Sequence, residues 1–296
     1  MLAGAFACFL ASGCSTQQLA ADALASALSS DAGNVFLTDD DPELIRDALP
    51  FGLKTYESLL AVTPNNAGLL KASAAGFAGY AFLLQQEADL LDDKDFKAAQ
   101  AQRRRASKLF VRGRDYALAG LSLTHPGLGG RIKRGDLVGL QRTTVADLDF
   151  LYWAGASWAG AANLDRNNQD LVADLPIAAA LVARVLELDD DYQDGAAHEF
   201  FLSYDAAQPG ADRDALQARF DKVMEYSQGK RIATLLTYAE VVSRPQQDLE
   251  EFRGLIDAAL AKDPDADKEN RLLNHVAHRR AAWLKSKIPD LFLDAE

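Results

Sequence analysis

The chain consists of alanine-rich segments with helical spacing, and each segment ends at proline, glycine or a cluster of acidic residues. Alanine has the highest helix propensity, acidic residues favour the first helical turn, and proline and glycine favour helix ends. No stretch alternates apolar and polar residues for long enough to support a sheet. The sequence therefore predicts an all-α fold, a bundle or superhelix of about ten to twelve antiparallel helices.

The strongest helix start is Thr38–Glu43, where three aspartates precede Pro42, and Pro50 should kink the helix that follows. Further helices are predicted up to Leu91 and then over Asp95–Leu121, Val145–Asn163, Asp170–Leu188, Asp194–Ala207, Asp212–Gln228, Lys230–Ser243, Gln246–Lys262 and Asp267–Lys287. Residues 122–145 carry five glycines, which predicts a long irregular connection of the kind that is usually functional or mobile.

Three helix endings resemble one another, and they suggest an internal repeat. The endings are Leu60–Asn65, Leu186–Asp191 and Leu260–Asp265, and the last two lie 74 residues apart. That separation is close to twice the unit of about 34 residues found in tetratricopeptide helix pairs. The sequence therefore predicts degenerate tetratricopeptide-like helix pairs, whose stacking leaves a concave face for a partner.

The N-terminal 13 residues carry no charge, and their apolar run is too short to span a membrane but suits a secretory signal. The run ends in Leu10-Ala11-Ser12-Gly13-Cys14, which resembles the lipobox of bacterial lipoproteins. The resemblance implies a signal peptide (1–13), a lipidated tether beginning at Cys14 (14–37) and one helical domain (38–296). It also implies an anchor facing the periplasm, and Ser15 favours the outer over the inner membrane. The alternative is a buried apolar N-terminal helix.

The charge is unevenly distributed along the chain. With 31 basic and 43 acidic residues the net charge is −12, which argues against a nucleic-acid binder. Residues 103–142 nevertheless hold ten basic and two acidic residues, a net charge of +8. Either this segment is a solvated face, or it docks an acidic partner, anionic headgroups or an organic acid. For docking, the candidates are Arg131, Lys133 and Arg134.

The sequence offers little for catalysis or metal binding. His198-Glu199 begins like a zinc-protease motif, but Leu202 stands where the second histidine is required. His275 and His278 share a helix face, and no third metal ligand is evident. The sequence has no nucleophile-elbow, phosphate-loop or dinucleotide motif. We therefore expect a non-catalytic protein without metal or cofactor; the alternative is a hydrolase that uses His198 and Glu199.

Two segments, 147–158 and 192–204, place bulky aromatic residues beside small ones. They are either plain core packing or the lining of an amphipathic cavity with a few polar groups. The residues predicted to line such a cavity are Asp149, Tyr152, Trp153, Trp158, His198, Phe201 and Tyr204.

Several stretches match a known family in order: Asp41–Phe51, Gln85–Asp89, Tyr152-Trp153, Gly195–Phe200 and Asn270–Asn274 with Arg279-Arg280-Ala281. On these stretches the chain resembles, from about Asp40 to Phe292, the TatT family, the lipoprotein T-components of tripartite ATP-independent periplasmic (TRAP) transporters. The resemblance implies a repeat-bearing helical lipoprotein that associates with a periplasmic solute-binding protein and forms a homotrimer with a largely apolar pore. We therefore expect a helper in the uptake of an organic-acid or apolar solute. The alternative is a general envelope scaffold of tetratricopeptide type.

Overall fold

The computed structural model describes residues 35–293, so Cys14, the predicted signal peptide and most of the predicted tether lie outside the described residues. Within this range there are twelve α-helices and no strand, which confirms the predicted fold class. The helices are α1 Pro42–Val62, α2 Ala67–Leu91, α3 Phe96–Thr124, α4 Leu128–Ile132, α5 Leu148–Leu164, α6 Gln169–Ala173, α7 Leu175–Leu188, α8 Tyr192–Ala206, α9 Arg213–Tyr226, α10 Ile232–Tyr238, α11 Leu249–Ala261 and α12 Arg271–Leu291.

Aspartates cap the N-termini of four long helices, as the acidic clusters predict. The carboxylates of Asp41, Asp95 and Asp248 accept backbone hydrogen bonds at 2.9–3.0 Å from the first turns of α1, α3 and α11. Asp212 does the same for α9 at 3.0 Å. Each such cap stabilises a helix by about 1 kcal/mol, so local sequence fixes these starts.

The glycine-rich connection at 122–145 is less irregular than the sequence predicted. Helix α3 continues to Thr124, α4 follows after three residues, and two 3₁₀ turns lead into α5. The buried carboxylate of Asp147 holds the segment together, because Thr124 Oγ1 and His125 Nε2 both lie 2.9 Å from its oxygens. A tertiary contact of this kind has no local sequence signature.

Proline has different effects in two helices. Helix α1 continues through Pro50 to Val62. The helix predicted from Asp170 to Leu188 is instead divided into α6 and α7, and Pro176 lies in the first turn of α7. Proline is well tolerated there because the first-turn N–H groups have no partner within the helix.

Two apolar cores organise the helices. The larger core is formed by α1 to α8 and contains the fully buried Trp158. The smaller core is formed by α10, α11 and α12 around the fully buried Phe252. Among the described residues, α2 alone has the length and apolar character of a membrane-spanning helix, but 56% of that stretch is buried within the protein.

The last helix returns to the first two. Arg280 on α12 lies 3.1 Å from Asp89 on α2 and 2.5 Å from Glu240, which follows α10. Lys287 lies 2.5 Å from Asp93, and Leu272 N donates to the carbonyl of Leu37 at 2.9 Å. Further ion pairs join Arg271 to Asp40 and Arg279 to Glu43. We call these contacts the α12 seam.

Candidate functional site

Helix α8 begins with a strained corner. Gln193, Asp194 and Gly195 have φ angles of 45°, 55° and 85°. The left-handed region costs a residue with a side chain about 1 kcal/mol or more, so neighbouring contacts must hold the corner in place. One of them is the guanidinium of Arg231, whose Nη1 donates to the carbonyl of Gln193 at 3.0 Å. Clusters of such strain are typical of functional sites.

Three aromatic rings gather beside this corner. The Tyr152 ring lies 5.1 Å from that of Trp153 and 5.4 Å from that of Tyr192. The Tyr192 hydroxyl donates to Asp149 at 2.6 Å, and Lys71 lies 3.3 Å from the same carboxylate. Burial and the Asp149 charge raise the pKa of Tyr192, so this hydroxyl stays protonated and can donate. We call Tyr152, Trp153 and Tyr192 the aromatic cluster.

An ion pair lies next to the aromatic cluster. Arg231 Nη2 is 2.9 Å from Glu199 Oε2, and the side chains are 18% and 17% exposed. Burial raises the pKa of Tyr152 to about 12, although the nearby Arg231 charge opposes the rise. The Tyr152 hydroxyl makes no hydrogen bond to another residue within 35–293. The site therefore combines ring faces, a free hydroxyl and a paired charge, as amphipathic binding sites do.

His198 belongs to a different set of contacts. Its ring is buried, with Nε2 3.1 Å from Asp190 and Nδ1 3.1 Å from the Arg219 guanidinium. Because arginine can only donate, Nδ1 accepts and Nε2–H donates to Asp190. Burial lowers the pKa of His198, with Asp190 opposing and Arg219 adding to the effect. Glu199 contacts Arg231 instead, so the two residues of the hydrolase hypothesis face different partners.

Three other predicted cavity residues belong to the larger core: Trp158 and Phe201 are buried in it, and Tyr204 packs against it. Phe201 packs edge-on against Phe200 and Tyr204, with ring centroids 5.2 and 6.0 Å apart, and the Arg219 guanidinium lies 5.1 Å above its ring. Trp158 is fully buried, and the Arg114 guanidinium lies 4.6 Å above it. Trp158 therefore positions α5 within the larger core, and Phe201 and Tyr204 attach α8 to the same core.

The structure changes the meaning of the +8 segment, because acids from elsewhere in the chain neutralise part of it. Arg103 pairs with Asp89 and Asp92 at 2.8 and 2.9 Å, and Arg112 lies 3.3 Å from Glu57. Five basic residues of the segment have no ion-pair partner among the described residues: Arg104, Arg105, Lys108, Arg134 and Arg142. Of these, Arg105 donates to the Tyr80 hydroxyl at 2.9 Å.

The docking candidates differ in how free their charges are. Lys133 Nζ lies 3.0 Å from both carboxylate oxygens of Asp115, and Arg131 lies 3.9 Å from Asp136. Arg134 is exposed and, within the described part of the chain, unpaired. The three lie on α4 and the turn after it, and Lys133 joins this turn to the middle of α3 through Asp115.

The predicted histidine pair has no arrangement typical of a metal site. His275 Nε2 lies 2.9 Å from Asp265, and His278 Nε2 lies 2.7 Å from the carbonyl of Lys262. No group of three potential metal-binding side chains occurs within residues 35–293.

The sequence did not predict the ion pair between Arg231 and Glu199, nor the left-handed corner at the start of α8. Arg231 is a single basic residue in an ordinary helix start, and it meets Glu199 32 positions earlier only after the chain has folded. A weak signal was present in Asp194-Gly195, since these residue types tolerate left-handed backbone better than most.

Comparison with known proteins supports the resemblance seen in the sequence. The family model described as "TRAP transporter T-component" matches residues 38–292. An uncharacterized protein of Treponema pallidum (strain Nichols) is 31% identical over 308 aligned positions, which cover 97% of this chain and 95% of that protein. Matches of this extent leave no large part of the helical domain unaccounted for. The chain belongs to the TRAP transporter T-component family.

Proposed function

We propose that this protein is a non-catalytic, periplasm-facing lipoprotein that binds the solute-binding component of its TRAP transporter and assists solute uptake. Membership of the T-component family carries this proposal and assigns the chain to a cell-envelope transport system. The acyl anchor at Cys14 would hold the helical domain near the membrane, with the outer membrane favoured, and three copies would assemble as a homotrimer.

The solute would be an organic acid or an apolar molecule held without covalent chemistry. The aromatic cluster offers ring faces to its apolar part, and Asp149, Phe201 and Tyr204 would extend the lining. The Tyr152 hydroxyl is free to donate a hydrogen bond to a carboxylate or carbonyl. Trp158 and His198 would support the lining from within the helix packing, because both are buried and already have partners.

Co-purification tests the proposal directly. The full chain, solubilised in detergent, should retain the solute-binding protein of the same transporter, and mass spectrometry should find a small molecule in the complex. Sedimentation analysis measures the number of copies. Failure of the wild-type chain to retain that protein under low-salt conditions would contradict the proposed function.

The docking candidates are tested by neutralisation. Changing Arg131, Lys133 and Arg134 together to Gln should weaken binding of the solute-binding protein, with an effect that shrinks at high salt because screening removes the lost attraction. Changing Arg244, Arg253 and Lys268 to Gln is the matched control, since these exposed bases of the other core have no ion pair within residues 35–293. If both triple variants bind with equal affinity at low salt, Arg131, Lys133 and Arg134 do not belong to the docking surface.

The solute site is tested by removing one hydroxyl. Tyr152→Phe should weaken retention of the co-purified solute by about tenfold, the usual scale for a lost hydrogen bond to a ligand of about 1.4 kcal/mol. Tyr238→Phe is the control, because it removes one buried hydroxyl from a different apolar cluster. Unchanged solute retention in Tyr152→Phe would argue against this site.

A further inference from the structure

An open groove of about 620 Å³ lies between the end of α1, the start of α2 and the middle of α3. Its floor is apolar and includes Leu60, Leu70 and Val111, with the small side chains of Ala61 and Ala119 leaving space above it. Leu60 and Leu70 are themselves buried, so the apolar surface that solvent reaches is formed by the exposed Ala61 and Ala119 and the half-buried Val111.

The rim of the groove on α3 is positively charged. Lys108 and Arg112 line it, and Arg104 lies one turn earlier on the same helix face. Lys108 and Arg104 have no acidic partner among the described residues, and Arg112 lies over the Phe77 ring at 5.2 Å. Residues spaced by four on a helix are neighbours on one side of it, so the charges form a row beside the apolar floor.

The acids of the groove cancel only one charge of this row, that of Arg112, which lies 3.3 Å from Glu57. Asp115 is bonded by Arg114 and by Lys133, at 2.8 and 3.0 Å. Glu57 accepts from the Tyr116 hydroxyl at 2.9 Å and is paired with Lys54 and Arg112. Because Asp115 and Glu57 are paired with other bases, the charges that remain free at the rim are those of Arg104 and Lys108.

The groove also continues into the docking surface proposed above. Lys133, one of the three docking candidates, bonds the same Asp115 that lines the groove. The groove and the loop after α4 therefore form one surface with an apolar centre and basic edges.

We infer that this groove receives an acidic amphipathic helix on the surface of the solute-binding protein, which makes the inference dependent on the proposed function. Acidic side chains at intervals of four on such a helix match the spacing of Arg104, Lys108 and Arg112. Its apolar face covers Ala61, Val111 and Ala119, in the manner of helix-in-groove recognition.

Two kinds of variant test the inference, one for charge and one for shape. Lys108→Glu reverses an exposed, unpaired charge at the rim, and Arg253→Glu does so at an exposed, unpaired position of α11. Ala119→Trp fills the groove, and Ala258→Trp places the same ring on an exposed face of α11. All four positions are exposed, so each variant should keep the wild-type melting temperature.

The measurement is the affinity of the full chain for the purified solute-binding protein of its transporter. We expect Lys108→Glu and Ala119→Trp each to weaken binding by about tenfold, whereas the two control variants bind as the wild type does. The Lys108→Glu effect should shrink as salt rises from about 0.1 M to about 1 M, where the screening length falls from about 10 Å to about 3 Å.

The outcomes separate this inference from the proposed function. If the wild-type chain binds and all four variants bind equally well, the groove is not the docking site, but the proposed function stands. If the wild-type chain does not bind, the proposed function fails and the inference fails with it. If Lys108→Glu loses affinity for vesicles containing an anionic lipid but not for the protein, the occupant is a membrane and the inference is wrong.

Discussion

The two cores of this protein pack by different means. In the larger core, helices approach closely at glycine: a Cβ on Gly155 of α5 would lie 2.7 Å from the Ala178 carbonyl oxygen of α7. Gly254 of α11 lies on the exposed side of its helix with nothing within 4 Å of its Cβ position, and large side chains such as Phe252 and Phe292 fill the smaller core, with ring centroids 4.9 Å apart. Close backbone approach requires small residues at set positions, whereas side-chain packing tolerates more substitutions.

The two cores are connected in two ways. Along the chain they are joined through α8 and α9, and in space the α12 seam joins them again. The seam is mostly ionic, with one small apolar cluster around Ile45, Leu83, Leu272 and Val276. We therefore expect the larger core to determine overall stability and the seam to determine whether the two cores unfold together.

The largest expected effect is in the larger core. Trp158→Ala should lower the free energy of unfolding by about 3–5 kcal/mol, because it removes a fully buried ring and leaves a cavity beneath Arg114. Urea unfolding followed by far-ultraviolet circular dichroism measures it. A loss below about 1 kcal/mol would show that the larger core can collapse around the cavity, contrary to the close packing inferred here.

Next comes the seam. Arg280→Met should cost about 1.5–3 kcal/mol, because Asp89 and Glu240 lose a partner at sites where the three side chains are 14–22% exposed. In this variant, as the urea concentration increases, the backbone amides of α12 should lose their protection from hydrogen exchange before those of α2 do. Lys285→Met is the control, since its pair with Asp257 is exposed and should matter little. Equal effects of the two variants would mean that the seam does not couple the cores.

Replacing Gly155 or Gly254 by alanine tests whether close helix approach depends on glycine at one position and not at the other. Gly155→Ala should destabilise the protein by about 1–3 kcal/mol, because its Cβ would push α5 away from α7. Gly254→Ala should stabilise it by about 0.5–1 kcal/mol, since nothing lies within 4 Å and alanine favours helix. Melting temperatures shifted in the same direction would contradict the comparison.

The smallest effect concerns pH and the junction between the cores. Burial lowers the pKa of His198 in the folded state below its ordinary value, so the unfolded chain takes up a proton first as the pH falls. Stability contributed by neutral His198 is therefore complete above about pH 6.5 and declines below it, until the folded state is protonated too. His198→Gln should flatten this decline in unfolding experiments between about pH 5 and about pH 7. An identical pH profile in the variant would show that His198 contributes nothing to it.

The sequence indicated which segments form the candidate site, but it did not indicate which residues contact one another there. The segments around Tyr152 and His198 stand out because aromatic residues alternate with small ones. Their spacing does not reveal that Tyr152 faces Arg231 whereas His198 faces Arg219, because that depends on how α8 is placed after its left-handed corner.

The sequence by itself determined the all-α class, most of the long helices, several of their starts and the family. Helix propensity and N-terminal capping act within a few residues, so Asp41, Asp95 and Asp212 could be recognised as helix starts without a structure. Only the tertiary structure decided which charges remain free and how the helices close on themselves. Arg280 meets Asp89 across 191 positions, and no local pattern encodes such a pair. The apparent +8 segment is accordingly reduced by distant acids, and the charge that remains free on α3 lies at the rim of an apolar groove.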